Sequence, residues 1–157
     1  MMAWVTDVPN MNGRSTPLKY RFLVAMQGSA GIGGNLNKWS AADMKLASDM
    51  VAQYKGIRDT VQQGDLYRLN SPRDPSGLTS NEYVSTDGKQ AAIFAFYDHQ
   101  QYGQEVPVVY PRGLDPSATY KLTPGQTTLS GSYLMNHGVQ FRLTGDYDST
   151  LVVLDRQ

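Results

Sequence analysis

Apolar positions along this chain follow two different periods, and the change from one to the other falls near Gly64. Before it, residues 20–26 (Tyr-Arg-Phe-Leu-Val-Ala-Met) begin with polar alternation and end in a continuous apolar run. That pattern predicts a single strand buried on both faces. Gly28, Gly31, Gly33 and Gly34 predict a turn directly after it. Ser40 and Asp43 then stand three residues apart, so their side chains can satisfy otherwise unpaired amides of a first helical turn, and a helix is predicted from that point. Met44, Ala47, Met50, Val51, Tyr54, Ile57, the stem of Arg58, and Val61 give it one buried stripe at three-and-four spacing, and Gly64 ends it. Residues 1–19, with Val8-Pro9-Asn10 and Thr16-Pro17 holding the backbone extended or turned, read as a loop feeding the strand. A doubly buried strand needs neighbours for its backbone groups, and this pattern supplies none upstream.

After Gly64 no helical period is present. Leu66-Tyr67-Arg68-Leu69 leads into the breaker cluster of residues 70–77, which reads as a surface loop or linker. Residues 83–85 and 90–97 are predicted strands joined by a two-residue hairpin turn at Asp87-Gly88. Residues 106–110, 120–122, 132–135, 139–143 and 151–154 are predicted as further strands; Val139, Phe141 and Leu143 alternate with Gln140, Arg142 and Thr144. Two antiparallel sheets packed face to face would bury these alternating faces.

Charge and composition narrow the function classes. Fourteen Lys plus Arg balance 14 Asp plus Glu, so no basic field steers the chain toward nucleic acid or an anionic membrane, and neither is expected as a partner. Zero Cys removes disulfide frameworks, thiolate nucleophiles and Cys-ligated metals, and favours a cytoplasmic location. The first residues lack the pattern of an export signal, and no apolar run approaches the ~20 residues that span a bilayer.

Individual motifs carry little chemistry. Asp146 and Asp148 alternate in a turn without the further oxygen ligands of a calcium loop, so a solvated turn is the simpler account, and neither a metal nor a cofactor is expected. His99 beside Asp98 could be an oriented base, but no nucleophile stands near it in the sequence, and His137 in Asn136-His137-Gly138 reads as a turn residue. The glycines at 28–34 fit neither dinucleotide nor phosphate-loop spacing. They suit close backbone approach at the carboxyl end of a strand, where α/β folds place ligands, and Trp4 and Trp39 flank that end with ring faces able to stack on a sugar.

In this order, Trp4-Val5-Thr6-Asp7-Val8-Pro9-Asn10, residues 20–36, Gln53-Tyr54-Lys55 with Ile57-Arg58, and Leu66-Tyr67-Arg68-Leu69 resemble landmarks of the α-galactosidases of glycoside hydrolase family 36. Tyr83-Val84-Ser85, Arg112-Gly113-Leu114-Asp115-Pro116, Tyr120 and Leu129-Ser130-Gly131 resemble that family's C-terminal β-sandwich. The resemblance implies that residues 1–64 are the last strand-helix unit of a (β/α)8 barrel and that residues 65–157 are an all-β antiparallel β-sandwich. Retaining enzymes of this kind need two carboxyls ~5 Å apart. The family's Trp-Asp-x-Asn-Arg nucleophile motif, its Ser-Asp-x-x-Asp acid/base motif and its Cys-containing glycine motif are absent from this sequence and are expected upstream of Met1. In the glycine turn, Ser29-Ala30 stands where the family usually has Leu before the second Gly. The resemblance therefore implies a non-catalytic piece of an α-galactosidase, meeting α-galactosides through the missing barrel, with Asp7, Asn10 and Trp4 as substrate-binding residues and no catalytic residue of its own. Without neighbours for its strand, the chain is expected either to self-associate through residues 20–64 or to leave them disordered. An independent carbohydrate-binding or intersubunit β module is the alternative.

Overall fold

Residues 2–157 are described by a computed structural model. Its first part holds two successive strand-helix units: β1 (Met2–Val5), α1 (Leu18–Ala25), β2 (Ser29–Ile32), a 3-10 turn at Leu36–Lys38, and α2 (Ala41–Gln63). β1 and β2 run parallel with Met2 opposite Ser29 and Val5 opposite Ile32. This corrects the sequence expectation in three places. Residues 20–26 are helical where a strand was predicted: Leu18, Phe22, Leu23 and Ala25 are buried along one side, and the Met26 amide donates to the Phe22 carbonyl at 2.8 Å. A seven-residue apolar run is compatible with either conformation, and here the helical one buries it against the large sheet. The strand lies instead within the expected glycine turn, where Gly31 leaves space for the Trp4 ring; a Cβ there would sit 2.5 Å from Trp4 Cε3. The expected feeding loop contains β1, so the one strand that does form after it, β2, has a neighbour within the chain and is not covered on both faces.

α2 follows its local signals. Ser40 Oγ accepts the Asp43 amide at 3.1 Å, Asp43 Oδ2 accepts the Ser40 amide at 3.1 Å, and the Gly64 amide closes the helix on the Thr60 carbonyl. Ala47, Ile57, Thr60 and Val61 are its buried residues, while Met44 at the predicted stripe's start is exposed. Gly64 is also steric: a Cβ would meet the Val84 carbonyl oxygen at 2.1 Å.

The second part is built on one six-stranded antiparallel sheet of β3 (Asp65–Asn70), β4 (Leu78–Val84), β5 (Gln90–Tyr97), β6 (Thr119–Thr123), β7 (Thr128–Ser130) and β8 (Asp148–Arg156), in the order β3-β4-β5-β8-β6-β7. One face, including Tyr83, Ala92, Phe94, Phe96, Leu151 and Val153, shares a core with Phe22, Leu23 and Met26 of the α1 region and with Ala47, Ile57 and Val61 of α2. The other face, with Ile93, Ala95, Tyr97, Val152 and Leu154, packs on Val109, Leu114, Leu134, Val139, Phe141 and Leu143. β5 is covered on both sides, which is why residues 91–97 read as unbroken apolar sequence.

The half is thus layered like a sandwich, but its second layer differs from the expected second sheet. Residues 106–110 and 139–143 share the single backbone bridge Val109–Val139, with Gln140 Nε2 donating to the Val106 carbonyl at 2.8 Å beside it. Val139, Phe141 and Leu143 nevertheless point inward and Gln140, Arg142 and Thr144 outward, so the alternation reports burial without a ladder. Residues 132–135 lie in helix α3 (Gly131–His137), whose N-cap Ser130 accepts the Tyr133 amide at 3.1 Å and which buries Leu134 fully. The β4–β5 hairpin is present, but its connection spans residues 85–89. Gly88 alone takes a left-handed φ of 67°, following a turn closed by its amide on the Ser85 carbonyl. Among the described residues no helix is long and apolar enough to cross a membrane.

Candidate functional site

A cleft of about 260 Å³ opens beyond the carboxyl ends of β1 and β2, lined by Asp7, Val8, Leu18, Arg21, Lys38, Trp39 and Asp43. Parallel strands direct their following loops to this end, so the chain after Val5 and the chain after Ile32 meet there. The Gly33 amide extends the pairing by donating to the Val5 carbonyl at 2.9 Å. Two residues past β1, both oxygens of the Asp7 carboxylate accept the Asn35 amide, at 3.1 and 3.0 Å. Gly34 makes this approach possible, because a Cβ there would stand 2.7 Å from Asp7 Oδ1.

The cation facing Asp7 comes from α1. Arg21 donates through Nε to the Thr16 carbonyl at 3.1 Å and through Nη1 to the Thr6 carbonyl. Burial lowers the Arg21 pKa, an effect opposed by the carboxylates of Asp43 and Asp7. Asp43 is held below the usual carboxylate range, first by the Ser40 hydroxyl and then by the Ser40 amide, with Arg21 adding attraction. Trp39 packs edge-on against Phe22, ring centroids 6.2 Å apart, which fixes its indole beside the cleft. Lys38 contributes an exposed ammonium. The cleft therefore offers carboxylate acceptors, two cationic donors and one indole, a set suited to a neutral hydroxyl-rich ligand.

Of the three residues proposed from sequence to bind substrate, only Asp7 lines this cleft. Trp4 lies across β2 at Gly31 and remains 54% exposed on the strand pair. Asn10 folds the adjoining loop: its Oδ1 accepts the amides of Asn12 and Arg14, each at 3.0 Å. Arg21, Lys38 and Asp43 were not singled out from sequence. Reading residues 20–26 as a strand hid Arg21, whereas a helix puts Leu18 and Arg21 on one face, three residues apart. Asp43 announced itself only as a helix cap.

The other sequence candidates lie elsewhere. His99 Nδ1 sits 2.9 Å from Asp98 Oδ1 on the surface, packed against Gly77. Asp146 accepts the Gln100 amide and Asp148 the Thr144 amide, each at 3.0 Å, so Asp146 ties its turn to the loop that carries Gln100 while Asp148 closes its own turn. His137 ends α3 with its ring stacked on Tyr133 at 4.3 Å. Among the described residues no three His, Asp or Glu side chains converge as a metal-ligand group.

Residues 78–154 match the family model described as the glycosyl hydrolase family 36 C-terminal domain. Alpha-galactosidase 2 of Hypocrea jecorina is 36% identical to this chain over 159 residues, covering 100% of the chain and 21% of that protein. Alpha-galactosidase C of Emericella nidulans is 35% identical over 161 residues, with 100% and 21% covered. Among solved structures, the family 36 alpha-galactosidase AgaA of Geobacillus stearothermophilus superposes with a TM-score of 0.94 at 30% identity, covering 100% of this chain and 22% of that one. Variants of that enzyme have been solved in complex with raffinose and with stachyose. The chain spans about a fifth of the length of the curated relatives it matches.

Proposed function

We propose that this chain, which belongs through residues 78–154 to the C-terminal domain of glycosyl hydrolase family 36, is the part of an α-galactosidase that supplies the end of its barrel and the sheet domain behind it. The observation that carries the reading is the pair of strand-helix units, β1-α1 and β2-α2, in parallel register. Two parallel strands do not make a sheet that stands alone, because such strands are normally paired on both edges and covered on both faces. Here Met2 is 65%, Trp4 54% and Ile32 36% exposed, as would suit surfaces that face further strands of a closed (β/α)8 barrel. We place the division between the two parts at Gly64, with residues 1–64 belonging to the barrel and 65–157 to the sheet domain.

In this reading the cleft around Asp7 lies at the barrel end where sugars bind, and Asp7 and Asn10 of the loop after β1, with Trp4 on β1 itself, belong to the surroundings of the galactoside. The chain brings no catalytic pair. A retaining glycosidase needs a nucleophilic carboxylate and a protonated partner ~5 Å away. In the cleft, Asp43 is held ionised by Ser40, and both Asp7 oxygens are aimed at one backbone amide. Without the upstream carboxylates the oxocarbenium-like transition state keeps most of its barrier. The open strand edges favour self-association of the isolated chain, and the absence of Cys fits a cytoplasmic protein.

Hydrolysis of a chromogenic α-galactoside and titration with raffinose, measured on the same purified chain, test this. No turnover, together with concentration-dependent association by sedimentation, is expected. Turnover abolished by Asp7→Asn would show that the catalytic pair lies in this chain. Saturable raffinose binding by a strictly monomeric chain would favour the independent carbohydrate-binding module.

A further inference from the structure

The connection between β1 and α1 runs from Thr6 to Pro17 without a strand or helix of its own, against roughly two to six residues for an ordinary connection of this kind. Loops of this length in compact folds either serve a site or remain disordered. This one is tied at three levels. Its tip is closed by Asn10, whose Oδ1 accepts the amides of Asn12 and Arg14 and whose own amide donates to the Arg14 carbonyl at 2.9 Å. Its first stretch is fastened to the neighbouring loop by Asp7 on the Asn35 amide. Its two ends are joined by one guanidinium, with Arg21 reaching the Thr6 carbonyl at the start and the Thr16 carbonyl near the finish.

From this geometry we infer that Arg21 is a positioning residue: it fixes the spacing of the two ends of the 6–17 loop and so sets the direction in which Asp7 faces the cleft. The planar fork suits this work, because its N–H groups point in fixed, divergent directions, whereas an ammonium offers donors at a single point. The purpose of the loop rests on the α-galactosidase reading given above; the action of Arg21 rests on the geometry alone.

The test uses the full chain, 15N-labelled, as wild type, Arg21→Lys and Arg21→Gln, with amide exchange read residue by residue. In Arg21→Gln the amides of Asn12, Arg14 and Asn35 should exchange about tenfold faster while those of Ile93 to Tyr97 stay at the wild-type rate, and Arg21→Lys should fall between. Asn10→Ala, which opens only the tip, should release Asn12 and Arg14 and leave Asn35 protected. Trp39 emission should shift in Arg21→Gln but not in Asn10→Ala. Unchanged loop exchange in Arg21→Gln, equal acceleration of loop and sheet, or full rescue by Lys would each overturn the inference. If Arg21→Gln does not fold, Arg21→Lys against Asn10→Ala decides by the same Asn35 readout. Turnover by the wild-type chain that Asp7→Asn abolishes would count against the α-galactosidase-fragment reading and leave these exchange rates as they are.

Discussion

Glu82 offers the sharpest test of how the sheet half is held together. It sits in the middle of β4, fully buried, with Oε2 accepting the amides of Arg112 at 2.7 Å and Gly113 at 3.1 Å. Those bonds pin the turn that leads to buried Leu114 onto the sheet, and Gly113 has no room to retreat, since a Cβ would stand 2.5 Å from the Tyr67 ring. Glu82→Ala strands two part-buried amides, each costing up to about 1 to 3 kcal/mol, so a loss of at most roughly 2 to 6 kcal/mol is expected. At about 2 to 4 °C per kcal/mol for a chain of this size, Tm should fall by at most roughly 5 to 20 °C. Glu82→Gln keeps the acceptor and removes the charge. Burial raises the Glu82 pKa against the opposing pull of the two amides and Arg112. The folded state therefore holds this proton more tightly than the unfolded state does. The stability it contributes is fully present below about pH 4.3 and declines as pH rises through the elevated folded value. Glu82→Gln should abolish that decline and match or exceed wild type at pH 8. Thermal melts followed by circular dichroism at pH 4.5, 6 and 8 read all three proteins. An Ala variant melting with wild type, or a Gln variant losing as much as Ala, would refute the reasoning.

Three further outcomes are expected. Ser40→Ala removes the hydroxyl that caps α2 and should cost about 1 kcal/mol by urea denaturation, with exchange of the Asp43 amide rising first. Gly31→Ala drives a methyl into the Trp4 ring and should move the tryptophan emission while lowering stability by roughly 1 to 3 kcal/mol; unchanged emission would mean the ring is not seated there. Asp43, Asp87 and Asp115 all have lowered pKa values, chiefly from hydrogen bonds with Ser40, Ser85 and Ser117. Their contribution should be present above the unfolded carboxyl value and lost as pH falls through the depressed folded values; Asp43→Asn should flatten part of that acid limb in a urea series.

What could be read from sequence was whatever local chemistry decides. The cap, stripe and stop of α2 are encoded within a few residues of where they act, and Ser40, Asp43 and Gly64 all do what their positions announced. Residues 20–26 could not be assigned by period, because a short apolar run fits both a covered strand and a buried helix, and only packing against Phe94 and Phe96 decides between them. β1 is four residues long and pairs with a partner beyond an intervening helix, so nothing nearby signals it. The second layer over the sheet was legible as inward-facing Val139, Phe141 and Leu143, yet alternation reports burial and not hydrogen bonding. For the cleft, Asp7 and the nearby Trp39 were accessible from the resemblance and from strand-end reasoning. Arg21 was lost with the misread element that carries it.

The strand order carries a consequence for how this chain acquires its shape. β8, the last strand of the described residues, lies between β5 and β6 and is hydrogen-bonded to both. Until it arrives, β3-β4-β5 and β6-β7 are separate ribbons with no bond between them, and Ala91 to Tyr97 present a long apolar edge. Pairings between residues so distant in sequence are slow to form, and an exposed apolar edge recruits other chains in the meantime. A ribosome releasing this chain thus leaves the sheet undivided only once Asp148–Arg156 has emerged and threaded the gap. Chaperone demand should accordingly track how long synthesis dwells between Tyr97 and Asp148.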